Sequence, residues 1–280
     1  MRSGGQASLD IGIALPENVR DRLGRLYMRF GGIYFVLGAV LAAPGLASAE
    51  QPPTAITSAI ADTTRPAADL ARDSDRKPAA MLTFAGIAPG MQVFEIDPGR
   101  GYFTRLLSLT VGPAGSVIAY VPEESVGMAF KPLDTVTAIA AEPGRANVHP
   151  LHYPLMAVPA PEIAGTIDVV WTSQNYHDLH NVPGFDSVVF NRHILALLKP
   201  GGVYVVLDHA AVPGAGTETT HTLHRIDAGL VRREVEAAGF VFDGESNELA
   251  NPADPRTAAV LDPTIKGHTD QFVLRFRKPG

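Results

Sequence analysis

From residue 91 onward the chain alternates short apolar runs with stretches of helical period, and a glycine turn follows the first run. Met91–Ile96, Ser116–Val121, Val148–Leu151, Ile167–Thr172, Val203–Asp208 and Gln271–Arg277 read as strands. Between them, Phe103, Leu106, Leu107, Thr110 and Val111 fall at i, i+3, i+4, i+7 and i+8, one face of a helix. Phe190, Ile194, Leu197 and Leu198 mark a second stripe, and Leu230, Val231, Val235 and Ala238 a third, capped by Asp227 and stopped by Gly239. Glu123–Ala141 reads as a vaguer helical stretch, and Asp73-Ser74-Asp75 as the cap of a helix that includes Lys77 to Phe84 and is stopped by Gly86. Strands spaced by helices imply βαβ units and a mainly parallel sheet covered on both faces.

Composition narrows the chemistry. The 280 residues are 46% apolar, enough for a sizeable core, and contain no cysteine. Disulfides, cysteine-held metals and a thiol nucleophile are therefore excluded. A formal net charge of −6 argues against bulk nucleic-acid binding.

The first 49 residues read as an address. Residues 30–49 carry no charge, with Arg25 and Arg29 at the upstream edge and a compact apolar run over Ile33–Ala43. Pro44-Gly45 breaks any helix, and Ala47-Ser48-Ala49 fits signal-peptidase cleavage before Glu50. The expectation is an exported, periplasmic protein with no membrane span after cleavage; an uncleaved membrane anchor is the second choice. Asp10, Glu17 and Asp21 are foreign to a signal's positive start, which makes Met28 a candidate start. Residues 50–72, rich in Pro, Thr and Ala, read as a linker or loosely docked arm ahead of a domain over 73–280.

Val93-Phe94-Glu95-Ile96-Asp97-Pro98-Gly99-Arg100-Gly101 runs from strand into helix, where glycines let backbone approach a ligand. In open α/β sheets ligands sit beyond the carboxyl ends of the strands. A nicotinamide fingerprint is disfavoured, because Thr104 stands where its third glycine belongs.

Glu95 to Gly101, with Tyr102-Phe103-Thr104, resembles motif I of the class I S-adenosylmethionine-dependent methyltransferases, and Leu198-Lys199-Pro200-Gly201-Gly202 resembles their late helix–strand junction. Asn175-Tyr176-His177-Asp178-Leu179, Asp208-His209-Ala210, Thr222-Leu223-His224-Arg225-Ile226-Asp227 and Asn251-Pro252-Ala253-Asp254 resemble an exported bacterial branch of that family. The resemblance spans about residues 65–279. It implies a Rossmann-like α/β fold: a seven-stranded, mainly parallel sheet with the last strand antiparallel and helices on both faces. It implies S-adenosylmethionine as methyl donor, its methionine end over Gly99 and Gly101, with Glu95 ordering the loop near the amino group. Asp97 either contacts the cofactor or narrows the turn; Tyr102 and Asn175 complete the expected cofactor set. Two acidic positions of the family pattern are absent. Val121 stands about where a carboxylate binds the ribose, with Glu123 or Glu124 able to substitute only if the loop folds back, and His149-Pro150-Leu151-His152 stands where one contacts adenine.

The ends of the fourth and fifth strands carry His177-Asp178 and Asp208-His209, at the same edge as the glycine turn, with His221 and His224 in the next loop. His177 or His209 is the candidate catalytic base, oriented by Asp178 or Asp208; the competing reading is that these groups hold the loop. A metal on His177-x-x-His180 or His221-x-x-His224 is a rival that the loop-like flanks disfavour, and no resident metal is expected. The leading function is methyl transfer to an unknown small-molecule acceptor. The alternative is an exported, non-catalytic binding protein on the same scaffold.

Overall fold

The computed structural model describes residues 52–157 and 161–280. The signal segment, its Ala49/Glu50 cleavage point and Met28 lie outside the described residues.

Seven strands form one sheet: β1 Gln92–Ile96, β2 Ser116–Pro122, β3 Val148–Tyr153, β4 Ile167–Ser173, β5 Leu198–His209, β6 Val241–Ser246 and β7 Gln271–Arg277. Their order is β3-β2-β1-β4-β5-β7-β6, with β7 antiparallel to both β5 and β6 and the remaining pairs parallel. The expected sheet is therefore present. The strand that residue patterning alone passed over is β6, whose residues are mostly half-buried and which carries Gly244. At Lys199–Gly202 the β4–β5 register jumps, so the Lys-Pro-Gly-Gly junction bulges within β5 rather than preceding it.

Alternation along each strand sends neighbouring side chains to opposite faces. Val93, Val117, Val169, Trp171, Val205 and Val273 enter one core cluster, and Phe94, Ile118, Val170, Tyr204, Val206 and Leu274 the other. Helices cover both. Over the first face lie α1 Thr54–Ile60, α4 Pro78–Ala85 and α5 Tyr102–Val111, which supply its apolar side chains, while the short α2 Ala67–Leu70 and α3 Asp73–Arg76 come between α1 and α4 in the chain. In α6 Pro132–Ala140, Val136 and Ile139 pack on Val121 and Val148. The second face is covered by α7 Tyr176–Leu179, α8 Ser187–Leu197 and α10 Ala228–Ala237, with the short α9 Thr220–Leu223 between β5 and α10.

The expected linker is part of this body. Ile56 and Ala59 of α1 are buried beside Met81 and Leu107. Burying one such large apolar side chain stabilises by about 1.5–3 kcal/mol. Arg65 follows, its side chain wholly buried, donating to Asp73 at 2.8 and 2.6 Å. Asp73-Ser74-Asp75 is thus not the cap of the next helix but the start of α3, and Lys77 at φ +41° separates it from α4.

Candidate active site

Parallel strands end together, so the tips of β1, β4 and β5 bring their following loops to one edge. A cleft of about 740 Å³ opens there. Its walls include Asp97, Pro98, Gly99 and Arg100 from the β1 turn, Asn175 and Asp178 after β4, His209 at the end of β5, and His224.

The β1 turn is shaped by positive φ at three positions: Asp97 (+45°), Gly99 (+59°) and Gly101 (+78°). A Cβ on Gly101 would meet Ile139 Cδ1 at 2.1 Å, whereas one on Gly99 would meet nothing within 4 Å. Gly101 therefore serves packing against α6, and Gly99 leaves backbone open to the cleft. Asp97, a non-glycine in the left-handed region, is held in place by Asn175. The Asn175 amide donates to the carbonyls of Ile96 at 2.9 Å and Asp97 at 2.6 Å, and its oxygen accepts from Thr172. Its side chain is thereby committed to the strand ends and is not a free ligand group.

Asp97 is buried, accepts from Ser125 Oγ at 3.3 Å through one oxygen, and has no partner for the other. Burial, aided by repulsion from Asp178, pushes its pKa up to about 6. Glu95 lies deeper. Burial raises it to about 7, one of its oxygens is unpartnered, and it borders a narrow cavity of about 20 Å³ behind the main cleft. Arg76 borders both cavities. It donates to Ser173 at 3.1 Å and Gln174 at 2.6 Å and lies over the rings of Tyr102 and Phe103. The Tyr102 hydroxyl donates to Asp73 at 2.6 Å, so this residue ties the glycine turn to the N-terminal helices.

The two histidines differ. His177 is buried and absent from the cleft wall. Its Nδ1 lies 2.8 Å from Asp208 Oδ1, and its backbone N–H donates to the other oxygen at 2.8 Å. Burial opposes the imidazolium, but Asp208 and Asp178 outweigh it and hold the pKa at about 10. His209 lines the cleft with Nδ1 2.8 Å from Thr269 Oγ1; burial lowers it to about 4, so it is neutral near pH 7. The sequence pairs do not form: His180 turns to Glu234 at 3.1 Å, and His221 is exposed. His224 instead meets His177, across 47 positions of sequence.

Val121, at the end of β2, is wholly buried against α6. Glu124 accepts from the Leu155 backbone N–H at 3.0 Å, while Met128 and Phe130 supply an apolar stretch of the cleft wall. Residue patterning gave no sign of Arg76, Met128 or Phe130 as cleft residues. Their positions carry no period or motif, and Arg76 takes its place in the cleft through its contacts with Ser173 and Gln174, nearly a hundred positions away.

No family model matches the chain. A demethylmenaquinone methyltransferase from Lactococcus lactis subsp. lactis is 30% identical over 130 residues, 46% of either chain, so this chain spans about half the length of that curated relative. An S-adenosylmethionine-dependent methyltransferase from Aquifex aeolicus superposes with a TM-score of 0.52 at 18% identity, covering 71% of this chain and 88% of the other. The (4+2)-cyclase SpnF gives 0.55 at 19% identity, covering 73% and 80%. Strand order, the glycine turn and these likenesses agree: the chain has the fold of the class I S-adenosylmethionine-dependent methyltransferases.

Proposed function

We propose that this protein is an S-adenosylmethionine-dependent methyltransferase for a small-molecule acceptor. The observation that carries the reading is the cleft beyond β1, where bare Gly99 adjoins the half-partnered carboxylate of Asp97. Those features fit the amino-acid end of the cofactor. The unpartnered Asp97 oxygen is an acceptor for a cationic or hydroxyl donor, Gly99 admits close backbone approach, and Arg72 and Arg76 offer cations to a carboxylate. Met128 and Phe130 suit the apolar face of a purine. When bound, the cofactor supplies an electrophilic methyl group on a sulfonium.

The chain's own residues align the acceptor and take its proton. His209, neutral and on the cleft wall, is the base this geometry favours. His177, already carrying its proton and shielded from the cleft, positions Asp208 and the β4 loop. Glu95 acts behind Arg76 rather than on the ligand.

One observation favours the alternative, an exported binding protein without catalysis. With Val121 in the core and Glu124 engaged by Leu155, neither presents a carboxylate to a ribose, and Glu123 beside them is exposed. Export belongs to the same proposal and rests on the 30–49 segment; N-terminal sequencing of protein recovered from the periplasm should read from Glu50. Among the described residues no helix is long and apolar enough to cross a membrane.

Equilibrium dialysis with labelled S-adenosylhomocysteine tests the reading. Asp97→Asn should weaken binding at least tenfold. Equal binding by the variant and the wild type would contradict it.

A further inference from the structure

Beyond the methyl-donor cleft, the structure assigns a metal site to His177, Asp178 and His224. His177 Nε2, His224 Nδ1 and Asp178 Oδ1 form a triangle whose three sides are each 3.3 Å. A tetrahedral zinc ion with bonds of about 2.0–2.1 Å to nitrogen and oxygen keeps its ligand atoms about 3.3–3.4 Å apart. The triangle therefore has the size of one face of such a coordination sphere.

The surroundings are those of a metal-binding histidine. His177 uses Nδ1 on the fully buried Asp208, so Nε2 belongs to the triangle, where a bound metal ion would displace the proton that this nitrogen otherwise carries. A carboxylate behind the ring orients a ligating imidazole and fixes its tautomer. Asp208 is itself held by the backbone N–H groups of His177 and His209, at 2.8 and 2.7 Å. His224 sits at φ +54°, a left-handed conformation that costs energy outside glycine, and the chain keeps it there. The next residue, Arg225, is buried in an ion pair with Asp254 at 2.8 Å, which fixes the His224 backbone. Asp178 and His224 both line the cleft while His177 stands behind, so the open side of the triangle faces the cleft. Two imidazoles and one carboxylate suit a first-row transition ion better than magnesium or calcium. The fourth position would take an oxygen ligand from the cleft.

Zinc ion alone is the probe, so the result is independent of nucleoside binding. Chelator-stripped protein is titrated calorimetrically, and bound metal is counted by elemental analysis after gel filtration. One zinc per chain is expected. His224→Ala, at a side chain 41% exposed, should lower affinity at least tenfold while circular dichroism stays unchanged. Asp208→Asn, behind the ligand, should lower it about 10–100-fold. His221→Ala, exposed on the same loop, should leave it as in the wild type. A wild type that retains no zinc, or zinc held equally well by His224→Ala and by Asp178→Asn, overturns the assignment.

Discussion

The side-chain amide of Asn175 donates to the backbone carbonyl of Asp97 at 2.6 Å, locking the loop after β4 to the glycine turn after β1. The same amide donates to Ile96, so one side chain satisfies two buried carbonyls at the end of the central strand. Asn175→Ala leaves both without that donor. Each buried unsatisfied group costs about 1–3 kcal/mol. Denaturant unfolding should show a loss of that order, and S-adenosylhomocysteine binding should weaken with it. A variant of unchanged midpoint would show that the clamp is dispensable.

Gly99 and Gly101 should respond differently to the same change. Alanine at Gly101 faces Ile139 Cδ1 as well as a positive φ. Overpacking costs about 1–3 kcal/mol and the left-handed backbone about 1–2 more. Alanine at Gly99 meets only the backbone cost, so thermal unfolding should separate the two variants clearly. Gly101→Ala with Ile139→Val should recover part of the loss; no recovery would remove the steric explanation.

Glu95 makes stability depend on pH. Burial raises its folded pKa from 4.5 to about 7, so its neutral form is favoured in the native state. Its contribution is whole below about pH 4.5 and is lost as pH rises through 7. Glu95→Gln should flatten the unfolding free energy between pH 5 and 8 by about 2–3 kcal/mol. A parallel wild-type and variant profile would place the pH dependence elsewhere.

His209 carries the proposed proton transfer. Its pKa near 4 keeps it unprotonated through neutral pH, so turnover limited by this base should fall only as pH approaches 4. His209→Gln should lower kcat about 10²–10⁴-fold with little change in donor affinity. Full turnover by that variant would leave the acceptor without a base from this residue.

How much of this the sequence reveals depends on the range of the interactions. The core strands are legible because a doubly covered strand is a short apolar run, as at Val203–Leu207. β6 is not, since Val241 is exposed and its neighbours are half-buried. The helix Thr54–Ile60 turns only Ile56 and Ala59 inward, too few positions to establish a period, and so its Pro- and Thr-rich setting reads as a linker. At the site, the glycine turn and the histidine-bearing strand ends are local signals and appear at one edge as expected. The division of labour between His177 and His209 is set by Asp208, burial and Thr269, and the contact of His177 with His224 by topology. None of those partners follows from spacing along the chain.

The most direct test of the central claim is calorimetric titration of the wild type and Gly99→Val with S-adenosylmethionine. The cleft reading predicts one saturable site per wild-type chain and at least tenfold weaker binding by the folded variant, whose side chain would enter the open space beside Gly99. Absence of binding by correctly folded wild type, or equal binding by both, would contradict it.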